Sequence, residues 1–260
     1  MIALAMIVAL DTAAAAGEWR ATITRLPRGD FAQVRPFEAT YNFSWSGISA
    51  ASADIRCQRE PADYLTLDGQ GHTFGVARVL WKFDFSYHSC VRADTLRPVG
   101  MQQTQTERRK FTRTDQQFTD AGVETTRVEG KKSPKHTTYL CNGLNDLFSA
   151  LLYVRSQPLA DRDVYRLIVY PETTPYLATI TVLGRESFKS HAGNYRAIKM
   201  DLRLEKITKK DELVPHKKFK RASVWLSDDS DRILLRAEAQ IFVGTVAAEL
   251  QSIQFGAPDK

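Results

Sequence analysis

Residues 198–205 read Ile198-Lys199-Met200-Asp201-Leu202-Arg203-Leu204-Glu205, with every second side chain apolar and every intervening one charged. A period of two belongs to a pleated strand with one face turned inward, since a helix would scatter these residues round its whole circumference. The same alternation recurs in both directions. Upstream, Tyr41, Phe43 and Trp45 alternate with Asn42, Ser44 and Ser46, and Trp81, Phe83, Phe85 and Tyr87 with Lys82, Asp84, Ser86 and His88. Tyr165, Leu167 and Val169 form a shorter run, as do Ile180 and Val182; downstream, Ala237, Ala239, Ile241 and Val243 flank Glu238 and Gln240. Turn-forming clusters separate the runs: Asp68-Gly69-Gln70-Gly71, Asp120-Ala121-Gly122, His191-Ala192-Gly193-Asn194 and Ser227-Asp228-Asp229-Ser230-Asp231. The pattern predicts an all-β, mainly antiparallel protein of about a dozen strands, as a large curved sheet or a half-open or closed barrel.

One segment departs from it. In Leu144–Arg155, Leu147, Leu151 and Val154 fall at i, i+4 and i+7, with Leu144, Phe148 and Leu152 widening the stripe. This predicts a single helix near 144–156, capped by Asn142 or Asn145 and ended at Gln157-Pro158, covering one side of the sheet. Residues 102–135 are polar and read as a pair of exposed strands or a flap, and residues 208–221 as a basic connection.

The N-terminus carries a different message. Met1–Leu10 is an unbroken apolar run, followed by Asp11-Thr12 and Ala13–Ala16. A short apolar core ending in small residues has the form of a secretory signal, and it is too short to span a bilayer. The expectation is a signal peptide over residues 1–16, a single β-rich domain over 17–260, and export to the periplasm. No Lys or Arg precedes Trp19, so the usual basic start is missing.

The chain has 260 residues, a formal net charge of +6 and three cysteines. That length supports a full core without a disulfide scaffold or a structural metal. An oxidising compartment allows one bridge, and Cys57 with Cys90, both in strand-like stretches, is the preferred pair; three free thiols are the equal alternative. The five histidines match no metal-binding spacing, Gly184-Arg185-Glu186-Ser187-Phe188 lacks the last glycine of a nucleophile elbow, and the glycines form no phosphate cradle. The expectation is therefore no catalytic, cofactor or metal site, though a triad assembled from scattered Ser, His and Asp would leave no such spacing. Arg108-Arg109-Lys110, Lys131-Lys132 and Lys217-Lys218-Phe219-Lys220-Arg221 carry much of the excess charge. An exported protein rarely meets nucleic acid, so anionic membrane surface or an acidic partner is the expected counterpart.

Several stretches carry a resemblance. Ser149 to Leu159, Val182 to Glu186, Val224 to Asp229 followed by Arg232, and Phe37 to Tyr41 with Trp45 to Ile48 resemble the bacterial domain of unknown function 3108 family, from roughly Phe37 to Leu250. The resemblance implies an exported β-rich protein of Gram-negative bacteria and brings no site residues. The expectation is a non-catalytic envelope protein that binds an apolar or lipid-like ligand or an envelope partner. A scaffolding protein with a filled core, or a hydrolase, stands as the alternative.

Overall fold

The computed structural model describes residues 17–31, 34–216, 219–241 and 244–256, with the side chains of 219–221 outside the description. The expected signal peptide and much of the basic run at 217–221 thus lie outside the described residues.

Sixteen strands make one sheet. The first eight form an unbroken meander: β1 Phe37–Trp45, β2 Ile48–Glu60, β3 Tyr64–Thr73, β4 Phe83–Arg92, β5 Pro98–Glu107, β6 Lys110–Thr119, β7 Gly122–Glu129 and β8 Lys135–Leu140. The remainder are β9 Leu144–Asn145, β10 Val164–Val169, β11 Tyr176–Ser190, β12 Gly193–Ile207, β13 Leu213–Pro215, β14 Phe219–Ser227, β15 Leu234–Ile241 and β16 Gly244–Phe255. Two helices interrupt them, α1 at Gly75–Leu80 and α2 at Leu147–Ser156. The two meanders are joined where β1 pairs with β16, from Phe37 opposite Phe255 to Trp45 opposite Val246. All pairings are antiparallel except the short β9–β10 contact.

The sheet curls until its ends meet. Tyr139 of β8 stacks on Tyr170, just after β10, at 5.5 Å, and Val123, Cys141, Leu144, Ile168 and Tyr170 form a buried cluster at this seam. The loop after β10 reaches across it: Glu172 accepts from Arg127 at 2.7 Å and from Gln103 at 3.1 Å. An arm before β1 seals the neighbouring edge. Thr24 exchanges hydrogen bonds with the backbone of Arg166 on β10, and Arg20 forms a 2.7 Å salt bridge with Asp211. An edge strand left open would invite pairing with another chain.

Alternation fixes which side chains line the inside. Phe37, Ala39 and Tyr41 of β1, Cys57 of β2, and Ser89 and Val91 of β4 are buried there. Helix α2 lies against this inner surface. Asp146 caps it by accepting from the Ser149 amide at 2.7 Å, and takes further hydrogen bonds from the Tyr87 and Ser89 hydroxyls on β4. Buried on the helix are Phe148, Ser149, Leu152, Val154, Arg155 and Ser156, while Leu147 is exposed. The cap is thus Asp146 rather than Asn142 or Asn145. The helix is rotated from the all-apolar stripe because it packs between two clusters and carries Arg155 inward.

Three local expectations are corrected. Gly69 and Gly71 are not in a turn but inside β3, where Tyr87 and Phe85 of β4 cross them; a β-carbon on Gly71 would meet the Phe85 ring at 2.3 Å. Trp81 does not begin β4 but ends α1, its amide bonded to the Ala77 carbonyl. The Cys57–Cys90 bridge is absent, all three cysteines being free. Cys57 pairs with Leu67 and Leu67 with Ser89, so Cys57 shares the inner face with Ser89, and Cys90 points the other way, two strands distant. Bridged α-carbons lie at most about 7 Å apart, and two strand spacings of about 4.8 Å each exceed that. Burial pushes the Cys57 thiol up to about 11. In the native protein a thiol reagent should therefore label the half-buried Cys90 well before Cys57, with no mass change between reduced and non-reduced samples; equal labelling, or a bridge, would contradict this arrangement.

Candidate functional site

The inner surface is not filled evenly. Along β1 burial falls from Phe37, Ala39 and Tyr41 to a half-buried Phe43 and an exposed Trp45, and along β4 from Val91 and Ser89 to half-buried Tyr87, Phe85 and Phe83. The end occupied by α2 is packed; the end nearer α1 thins out. Opposite Phe43 stands Ala248, which pairs in turn with Ala237 on β15, small side chains that leave space before the aromatics.

Between these zones is a cavity of about 180 Å³, lined by Phe37, Tyr41, Phe43, Ile55 and Phe85 from the sheet, Leu151 and Arg155 from α2, and Ile233 and Leu234 after the Asp-rich turn. Glycines at 69 and 71 help shape it, because a β-carbon at 71 would push the Phe85 ring and one at 69 would crowd the Ile55 side chain, both of which line the space.

Arg155 is the one formally charged group in this lining. It is 4% exposed, its Nη2 donates to the Asp231 carbonyl at 2.6 Å, and its Nε has no hydrogen-bond partner. Burial pulls its pKa below the usual guanidinium value, opposed by the surrounding groups, Asp231 and Asp229 among them. It pairs with neither Asp146 nor Glu186: Asp146 is taken by β4 and the helix start, and Glu186 accepts from the Trp225 indole at 2.7 Å and from Lys199. A buried cation lacking one hydrogen bond is costly unless something else completes its shell. Tyr41, also in the lining, donates to the Leu234 carbonyl at 2.8 Å, and burial raises its pKa.

The Asp-rich turn, expected simply to join two strands, also organises the end of α2. Asp229 accepts from the Ser227 hydroxyl and from the amides of Asp231 and Arg232. Asp231 holds Arg35 through two bonds of 2.8 and 2.5 Å. Arg232 is buried and donates to the carbonyls of Arg155, Gln157 and Pro158, the free end of the helix.

The inner face of β5–β7 has a different character. Gln103, Gln105, Thr112, Thr114, Gln116 and Thr125 line it, in register across the three strands. Gln116 donates to the Glu172 backbone carbonyl at 2.6 Å, while its Oε1 is buried without a partner. A larger cleft of about 1240 Å³ opens beside the seam and the N-terminal arm. Three of its four arginines hold the fold, Arg20 on Asp211, Arg28 on the Ala93 carbonyl and Arg97 on Asp120, while Arg25 forms no ion pair among the described residues. The smaller cavity has the sharper chemistry, because its one cation is buried in an apolar wall with an unbonded Nε.

No three His, Cys, Asp or Glu among the described residues are grouped to hold a metal. His88 pairs with Asp68 on the outer face, away from Cys57. No described helix is long and apolar enough to cross a membrane.

A curled antiparallel sheet with a helix inserted on its inner face defines a β-barrel-like protein. A crystal structure of a β-barrel-like protein of the domain of unknown function DUF1849 from Brucella abortus has the same fold, with a TM-score of 0.61 at 11% identity, over 87% of this chain and 100% of that one. A candidate lipoprotein of Parabacteroides distasonis (TM-score 0.36, 9% identity, 88% and 100% coverage) and a candidate exported protein of Bacteroides fragilis (0.32, 12%, 88% and 100%) align more loosely. The chain belongs to the family described as protein of unknown function DUF3108, whose profile matches residues 37–251. The search of curated proteins gave no match.

Proposed function

We propose that this chain is a non-catalytic envelope protein that holds the hydrocarbon part of an acidic amphiphile inside its curled sheet. The observation that carries the reading is Arg155: a buried guanidinium with an unbonded Nε, set in an otherwise apolar cavity. A carboxylate or phosphate oxygen would supply the missing acceptor, and the adjoining Phe43, Ile55 and Phe85 would contact an alkyl chain. The thinning of the inner face toward α1 provides the direction in which a chain longer than the cavity would extend. The N-terminal pattern Met1–Leu10 followed by Ala13–Ala16 supports export to the periplasm, where such a ligand is met. A core filled throughout, as scaffolding would require, would leave the Arg155 Nε without an acceptor.

The test is binding of a fluorescent fatty acid, such as a dansyl-labelled undecanoic acid, to protein freed of lipid, beside native mass spectrometry of protein recovered from a bacterial periplasm. The expected result is saturable binding of the acid with at least about tenfold weaker binding of the corresponding alcohol, since a hydrogen bond to a charged group contributes about 1.5–3 kcal/mol. Failure of both acid and alcohol to bind, with no amphiphile carried through purification, overturns the reading.

A further inference from the structure

The end of the sheet that carries α1 displays apolar groups where a soluble protein ordinarily presents polar ones. On α1 itself Val76 is 75% exposed, Val79 86% and Leu80 67%, and none of the helix's residues is buried. Trp81 follows, stacked on Phe83 at 5.0 Å. The adjacent β1–β2 turn adds Trp45 and Ile48, both exposed, and is tied to this end by the Phe74 amide bonding to the Ala50 carbonyl. A six-residue helix with no buried side chain is not held by packing; its ends are fixed by Arg78, which bonds both the Thr73 carbonyl and Asp84.

Basic residues ring this apolar crest. The Arg108 amide bonds to the Lys82 carbonyl, which puts the β5–β6 turn beside α1, and the Gly130 amide bonds to the Phe111 carbonyl, which brings in the β7–β8 turn. Segments 74–84, 107–111 and 129–132 contain seven Lys or Arg against three Asp or Glu. The three acids are already engaged, Asp84 by Arg78, Glu107 by the Trp81 indole, and Glu129 by Arg127, Lys110 and Lys132. Arg108, Arg109 and Lys131 form no ion pair among the described residues.

We propose that this rim docks on an anionic lipid bilayer, with α1 and Trp81 entering the headgroup boundary and Arg108, Arg109 and Lys131 meeting lipid phosphates. Projecting aliphatic side chains with a tryptophan beside them, flanked by unpaired cations, match the two layers of a membrane surface: an apolar interior under a negatively charged skin. Its apolar side chains project outward, Val79 the most exposed of them, which suits a deformable phase better than a shaped protein partner. The inference does not depend on the cavity being a ligand site.

Sedimentation with vesicles tests it. The protein should bind vesicles rich in phosphatidylglycerol and bind pure phosphatidylcholine far less. Raising salt to about 1 M, where the screening length falls to about 3 Å, should release most of it. Val79→Asp with Leu80→Asp lies on exposed positions and should leave the circular dichroism and melting unchanged while reducing vesicle binding more than tenfold; Arg108→Ala with Arg109→Ala should reduce it by about tenfold as well. Absence of binding to anionic vesicles, or binding unaltered by both double variants, overturns the proposal. So does a dimer that light scattering shows to be lost on Val79→Asp/Leu80→Asp without any vesicle binding, which would assign the crest to a second copy of the chain. Binding of fatty acid by the Val79→Asp/Leu80→Asp protein separates this outcome from the cavity reading.

Discussion

Replacing Arg232 with alanine is expected to lower the free energy of unfolding by about 3–5 kcal/mol and the melting temperature by about 10 °C. Its guanidinium is the common partner of three carbonyls at the end of α2, those of Arg155, Gln157 and Pro158. The guanidinium also lies over the Phe31 ring at 4.6 Å, which fastens the N-terminal arm. Alanine would leave the Arg155 and Gln157 carbonyls buried without this donor, at about 1–3 kcal/mol each before relaxation, and would remove a cation from the negative end of a helix. Arg232 also sits at φ 44°, a conformation unfavourable for a residue with a β-carbon, so the turn is held there by these contacts. Lysine, with one point of donation, should recover part of the loss. Urea denaturation of the two variants checks the order; an alanine variant within 1 kcal/mol of the parent, by the same about 1–3 kcal/mol per carbonyl scale, would show that water replaces the guanidinium.

The second large effect separates stability from binding. Arg155→Met should leave the protein as stable as the parent or more stable by about 1–4 kcal/mol, because an apolar side chain of similar length replaces a buried cation whose shell is incomplete. The same change should weaken binding of the fluorescent fatty acid by about 10- to 100-fold and leave the matching alcohol almost unaffected, the loss expected for one charge-assisted hydrogen bond. Both measurements use one preparation. A strongly destabilised Arg155→Met protein that still prefers the acid would make Arg155 a support for the Asp231 turn and not a ligand contact.

The all-β class, the main strands and α2 follow directly from apolar periodicity, because one face of each element is packed and the other is wet. Where that contrast fails, the sequence is silent. Residues 102–135, read as exposed strands or a flap, are β5–β7, full members of the sheet; beyond Met101 and Val123 their inner face carries Gln, Thr and the Arg127–Glu129 ion pair, so inside and outside look alike in hydropathy. Gly69 and Gly71 suggest a turn by composition, yet they lie in a strand, where the Phe85 ring takes the space beside Gly71 and the Ile55 side chain that beside Gly69. Helix α1 is too short to show a period, and its exposed Val76, Val79 and Leu80 follow no packing rule. The cavity was least legible of all. Arg155 stands at the end of an apolar stripe, where the ordinary reading of an arginine is a cation at a helix terminus. Only the docking of α2 against the inner surface carries it into the cavity. Arg232 is visible in sequence as part of the family resemblance, but its three carbonyl partners come from a segment far away in the chain.

The joining of β1 to β16 has a kinetic consequence. Each meander is built from neighbouring hairpins and can zip locally, but the barrel is completed only when the first strand finds the last. Loop closure across most of the polypeptide is the slow part of such a topology. A ribosome-bound or partly threaded chain therefore has no route to the finished sheet until its final strand emerges, and must spend that interval with the inner face of its opening strands uncovered.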